Sequence, residues 1–184
     1  MRDELAWGSI AQSAVRMHLV IMGEPAGQLV DDTLRIWPGV HADIIALEGA
    51  NERLGHTLEA MYAIRRQLEA IGIRKIIFVG PSPHWRYDLP SIILRTAWKE
   101  TPRYLATGLE PDVLDRDREL KRDFKNDRSS RYVSLIDLFC TARGCMTHIG
   151  DDRRLGITTF DYGHVTVPAS EMIARQILVP AITK

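Results

Sequence analysis

Asp161 and His164 stand three residues apart in FDYGHVTVPAS, residues 160–170, directly ahead of the last helical run. An acid and an imidazole at this spacing fit on one side of a turn. There a carboxylate can fix the imidazole tautomer and stabilise its charged form, which makes the imidazole a usable general base. The same pair also reads as a turn cap, Asp161, beside an ordinary surface histidine. Nearer the start, ALEGANE, residues 46–52, sets Gly49, Ala50 and Asn51 after an apolar run. Glycine lets backbone approach a ligand, and an asparagine amide donates to an oxyanion in acyl transfer. Asn51 equally suits the N-cap of a helix starting at Glu52. His84 and Trp85, in PSPHWRYDLP, are candidates to line an acyl or sugar pocket, against a reading in which the indole only packs.

Cys140 and Cys145 flank the turn-like TARG. They read as a small disulfide loop, which would imply an oxidising compartment, or as two free thiols. Two cysteines with no histidine pair at finger-like spacing make no zinc site, so no metal is expected. GEPAG, residues 23–27, is too poor in glycine to cradle a phosphate, and no cofactor is expected. The 184 residues carry 24 basic and 24 acidic side chains. That balance points to neither nucleic acid nor an anionic membrane as partner. DRDRELKRDFKNDR, residues 115–128, mixes both signs and reads as a solvated helix face. No apolar run reaches the ~20 residues of a membrane-spanning helix. The N-terminus lacks the basic-then-apolar layout of a signal peptide.

The elements that must position these residues alternate, which predicts a single domain over 1–184. Helices are expected over 3–17, 27–37, 52–70, 89–100, 111–125 and 168–179. Strands are expected over 18–23, 42–49, 74–80 and 131–139, with 81–90 a loop. Over 52–70, Leu54, Leu58, Met61, Tyr62 and Leu68 recur near helical spacing, so one face is buried. Apolar strands alternating with helices predict a mostly parallel sheet covered on both faces, a three-layer α/β/α, flavodoxin-like arrangement. In such sheets the working residues gather where strands end at their carboxyl side. The loops after 23, 48 and 80, and the segment before the last helix, are those places.

Taken in order, Gly49-Ala50-Asn51, the Cys140–Cys145 pair in SLIDLFCTARGCMT and Asp161-Tyr162-Gly163-His164 resemble the SGNH hydrolase family. More narrowly, they look like the SGNH domain fused to bacterial membrane acyltransferase-3 type O-acyltransferases. The resemblance covers roughly 40–184 and includes a short β segment over 153–160. It implies an esterase or O-acyltransferase that uses a serine, His164 and Asp161, with Gly49 and Asn51 as oxyanion donors. It implies an acyl donor and a glycan acceptor as partners, and a membrane acyltransferase domain upstream. It also implies a periplasmic or extracytoplasmic place as part of a longer membrane protein. The family's G-D-S nucleophile block is not found. RDELA, residues 2–6, carries Glu4 where the serine should stand, Gly23-Glu24-Pro25 follows a good strand but lacks serine, and Ser9 lies in a helical stretch. The expectation is therefore an N-terminally truncated domain without its first strand. The alternative is a catalytically inactive copy that binds glycan or serves structure.

Overall fold

The computed structural model describes residues 18–22, 45–47, 58–70, 76–153 and 155–183. The helices expected over 3–17 and 27–37 lie outside them. In chain order the elements are β1 (His18–Met22), β2 (Ile45–Leu47), α1 (Leu58–Ala70), β3 (Ile76–Val79), α2 (Leu89–Ile92), β4 (Tyr104–Leu105), α3 (Pro111–Phe124), β5 (Ser130–Val133), α4 (Leu135–Phe139), β6 (Cys140–Thr141), β7 (Gly144–Met146), α5 (Val167–Ile173) and α6 (Val179–Thr183).

Four strands form a parallel sheet in the order β2-β1-β3-β5. β1 pairs with β2 from Val20↔Ile45 to Met22↔Leu47, and with β3 from His18↔Ile76 to Ile21↔Val79. β3 pairs with β5 from Ile76↔Ser130 to Val79↔Val133. β1 and β3 are thus hydrogen-bonded on both flanks. A strand missing from this sheet would have to add beside β2 or β5.

β3 shows why the sheet needs cover on both sides. Successive strand residues point to opposite faces. Ile77 and Val79 enter a core with Val133, Val165, Ala169, Ile173 and Leu178. Ile76 and Phe78 enter another with Met61, Leu68, Leu120 and Phe124. The first core lies under α5 and its continuation, and the second under α1 and α3. The result is the expected three layers with a parallel sheet. On the second face Phe124 stacks on Tyr132 with ring centroids 5.8 Å apart.

The predicted strand over 131–139 is strand only as far as Val133. After Val133 the hydroxyl of Ser134 accepts from the Asp137 amide at 3.0 Å and caps α4. A short apolar run such as LIDLF suits a buried strand or a buried helix, and periodicity alone does not separate them. The last helix is longer than expected. α5 widens to π-type bonding over Ala174–Leu178 before α6 begins. Pro180 accounts for the wide turn, since it lacks an N–H and its ring crowds the carbonyl four residues back. A second wide turn, Ile93–Ala97, continues α2. There Thr96 donates its hydroxyl to the Ile92 carbonyl at 2.7 Å and competes for the helical ladder.

A small antiparallel sheet, β4-β7-β6, was not foreseen. Cys140 and Cys145 face each other across β6 and β7 and form a disulfide. Cys145 packs with Trp85, Leu89, Ile92 and Ile93. The β segment expected over 153–160 is reduced to two single bridges, His148↔Ile157 and Thr159↔Val165.

Candidate active site

The Asp161–His164 turn is clamped at both ends before it does anything else. Thr159 bridges Val165. Phe160 donates its amide to the His164 carbonyl at 3.1 Å, and Thr166 donates its own to Thr158 at 2.9 Å. Thr166 also gives its hydroxyl to the Ile157 carbonyl at 2.5 Å. α5 then starts, with Pro168 in its first turn, where a missing N–H costs nothing.

Within the turn, Asp161 performs both of the roles its sequence context allows. Its Oδ1 accepts the amides of Gly163, at 2.9 Å, and His164, at 2.7 Å. Its Oδ2 meets Nδ1 of His164. One oxygen caps the turn and the other orients the imidazole. Burial pushes the Asp161 carboxyl upward, but the Gly163 and His164 amides and the His164 ring outweigh it. The net effect holds the group below the ordinary aspartate range. An ionised carboxylate only accepts, so when the ring is neutral Nδ1 carries its proton and the lone pair lies on Nε2. That is the tautomer a general base requires. The His164 side chain keeps 25% of its surface exposed, so the ring is reachable.

Two aromatic rings bracket the imidazole. Phe160 lies nearly parallel to it, with centroids 5.6 Å apart and a 12° tilt. Tyr162 meets it edge-on at 5.4 Å, and meets His84 edge-on at 5.5 Å. Phe160 and Tyr162 are both exposed. Neither ring was singled out from sequence, because an exposed aromatic next to a turn carries no pattern of its own.

The two residues proposed to line a pocket part company. His84 is half-buried, and its ring lies over Gly163. A Cβ at Gly163 would come within 2.5 Å of the His84 Cδ2, so a side chain between Tyr162 and His164 would have to push the His84 ring aside. Trp85 is 1% exposed and packs in the core around Cys145. Its indole is packing; its backbone amide is what touches the turn, donating to the Tyr162 carbonyl at 2.6 Å. This loop follows the carboxyl end of β3, so the dyad sits at the carboxyl edge of the sheet. β1 and β2 run parallel to β3 and end on the same edge, one residue before Gly23 and two before Gly49. Gly49 and Asn51 themselves lie outside the described residues.

The pairing carries a pH signature. A carboxyl depressed in the folded state contributes stability above its unfolded value near 3.8. That contribution is lost as pH falls through the folded value. Asp161→Asn keeps an acceptor for the turn amides but no titrating group. Its melting temperature, followed by circular dichroism from pH 7 to pH 3, is expected to fall less steeply on the acid side than that of the parent. Parallel curves would remove Asp161 from the acid limb.

Among the described residues no cluster of three or more His, Cys, Asp or Glu could hold a metal ion. None of their helices is long and apolar enough to cross a membrane.

Comparison with known proteins adds the family. No curated protein matches the chain. A solved structure described as the periplasmic domain of a Salmonella ser. Paratyphi A lipopolysaccharide acetyltransferase superposes with a TM-score of 0.69 at 19% identity. The superposition covers 96% of this chain and 88% of the other. At that identity the likeness concerns the fold. The family described as SGNH domain (fused to AT3 domains) matches residues 19–178. That span runs from β1 through the dyad into the last helix, and the chain belongs to this family of SGNH domains.

Proposed function

We propose that this chain is an acyl esterase or O-acyltransferase domain acting on a cell-surface glycan, by acetyl transfer or removal. The observation that carries the reading is the Asp161–His164 pair at the carboxyl edge of the sheet, with the carboxylate on Nδ1 and the base lone pair on Nε2. His164 is the general base, Asp161 orients it, and Gly49 and Asn51 are the oxyanion donors. His84 belongs to the substrate side of the same edge. The fusion of the family's domains to AT3 domains supports a membrane acyltransferase partner. The lipopolysaccharide acetyltransferase likeness supports a periplasmic place and a glycan acceptor. The Cys140–Cys145 bridge agrees with an oxidising compartment.

A second reading, a glycan-binding or structural domain without chemistry, is favoured by one observation. β1 lies inside the sheet, the family match opens at residue 19, and Gly23-Glu24-Pro25 follows with no serine. The two readings separate in the full-length protein within its own membrane. Acetyl groups on the surface polysaccharide, counted by NMR, are expected to fall to background with His164→Ala. Acetylation that survives this substitution would overturn the catalytic reading in favour of the second.

A further inference from the structure

The carbonyls of Asp161, Tyr162, Gly163 and His164 all receive hydrogen bonds, and three of the donors lie between the end of β3 and the first residue of α2. Leu89 donates its amide to Asp161 at 3.2 Å, and Trp85 to Tyr162 at 2.6 Å. The third donor is a side chain. Ser82 gives its hydroxyl to the Gly163 carbonyl at 2.7 Å across 81 residues of sequence, and Ser82 is only 3% exposed.

The Gly163 carbonyl and the His164 N–H belong to one planar peptide unit. Its N–H end is held by Asp161 Oδ1 at 2.7 Å, and its C=O end by Ser82. A rigid plane gripped at both ends cannot rotate about its long axis. With the carbonyl end released, only the Asp161 contact resists that rotation, which would swing the N–H off Oδ1 and free the carboxylate that orients the imidazole. Glycine at 163 adds no side-chain resistance to that motion. We infer that Ser82 is a positioning residue for the Asp161–His164 pair. Its hydroxyl locks the peptide plane that sets the imidazole against the carboxylate. The inference rests on the reading above only in taking His164 as the working base.

The test reads the dyad and not the reaction. The Nδ1 proton of His164, shielded by the Asp161 carboxylate, is followed by proton and nitrogen NMR in the whole 184-residue chain. Losing a buried hydrogen bond of this kind makes opening easier, so Ser82→Ala is expected to speed exchange of that proton with water by about tenfold. It is also expected to mix the two imidazole tautomers. Ser82→Thr, which keeps the hydroxyl, is expected to match the parent. Ser82→Cys keeps the volume with a weak donor and is expected to follow alanine; it carries the test if the alanine variant does not fold. Unchanged exchange and a single tautomer in Ser82→Ala, or in Ser82→Cys, would overturn the inference. Polysaccharide acetylation that persists in His164→Ala would sink the catalytic reading and leave this result standing.

Discussion

Glu24→Asp and Pro25→Ser, made together, are expected to raise hydrolysis of p-nitrophenyl acetate by roughly a thousandfold over the parent chain, the scale on which a triad nucleophile matters. The expectation comes from where β1 lies. It is a central strand whose carboxyl end opens on the same edge as β2 and β3. The family match begins inside it, at residue 19. Of the stretches that lack the serine, Gly23-Glu24-Pro25 is the one that follows a strand, the context in which the family resemblance expects G-D-S. Proline at 25 offers neither a nucleophilic oxygen nor a backbone N–H. A serine hydroxyl is weak without a base beside it. In the function proposed above, His164, with its lone pair on Nε2, is that base. Adding His164→Ala to the double variant is therefore expected to return activity to the parent level. A folded double variant that hydrolyses no faster, or whose activity ignores His164, would show that the serine belongs elsewhere.

How much of this was legible in the sequence depends on the range of each interaction. The Asp161–His164 pair was visible because both groups share one turn, and local geometry decides whether they meet. The choice between cap and dyad was not visible, because the two oxygens of Asp161 do one task each. The helix expected over 111–125 is found as α3, from Pro111 to Phe124. The small antiparallel sheet was unreadable. Its strands are two or three residues long, too short to show a period. The choice between disulfide and thiols turned on the β6–β7 register, which a spacing alone does not contain. Ser82 reaches Gly163 from 81 residues away. No local pattern announces such a contact, and the serine looks like any loop residue until the fold closes.

The largest effect on stability is expected at Asp117, away from the dyad yet under the same loop. The DRDRELKRDF stretch reads as a solvated helix face, but Asp117 is 0% exposed. Its Oδ1 accepts the Tyr132 hydroxyl at 2.8 Å and its Oδ2 the Ser134 hydroxyl at 2.9 Å. Lys121 stands 3.4 Å from Oδ2. Burial first, and the neighbouring Asp117 charge next, push the Tyr132 phenol far upward, so it keeps its proton and serves as a permanent donor. Tyr132 and Ser134 lie on β5 and at the start of α4, so this one carboxylate ties α3 to the sheet and to the turn that leaves it. The Tyr132 hydroxyl also fills the space beside Gly80, where a Cβ would approach it to 2.1 Å. Gly80 is the first residue after β3, two residues before Ser82. Asp117→Ala removes the acceptor and strands two hydroxyls, which should cost about 3 kcal/mol. For a chain of this length that is a fall in melting temperature of roughly 6–12 °C. Asp117→Leu should not rescue it, because the donors left behind still need a partner. Tyr132→Phe alone should cost about 1 kcal/mol. Combined with Asp117→Ala it should add almost nothing, since the bond is already gone. Thermal denaturation of the four proteins completes the cycle. Additive losses, or an Asp117→Ala variant as stable as the parent, would mean that the carboxylate is a passenger in the core and that β5 and α3 are held by the Phe124–Tyr132 stack alone.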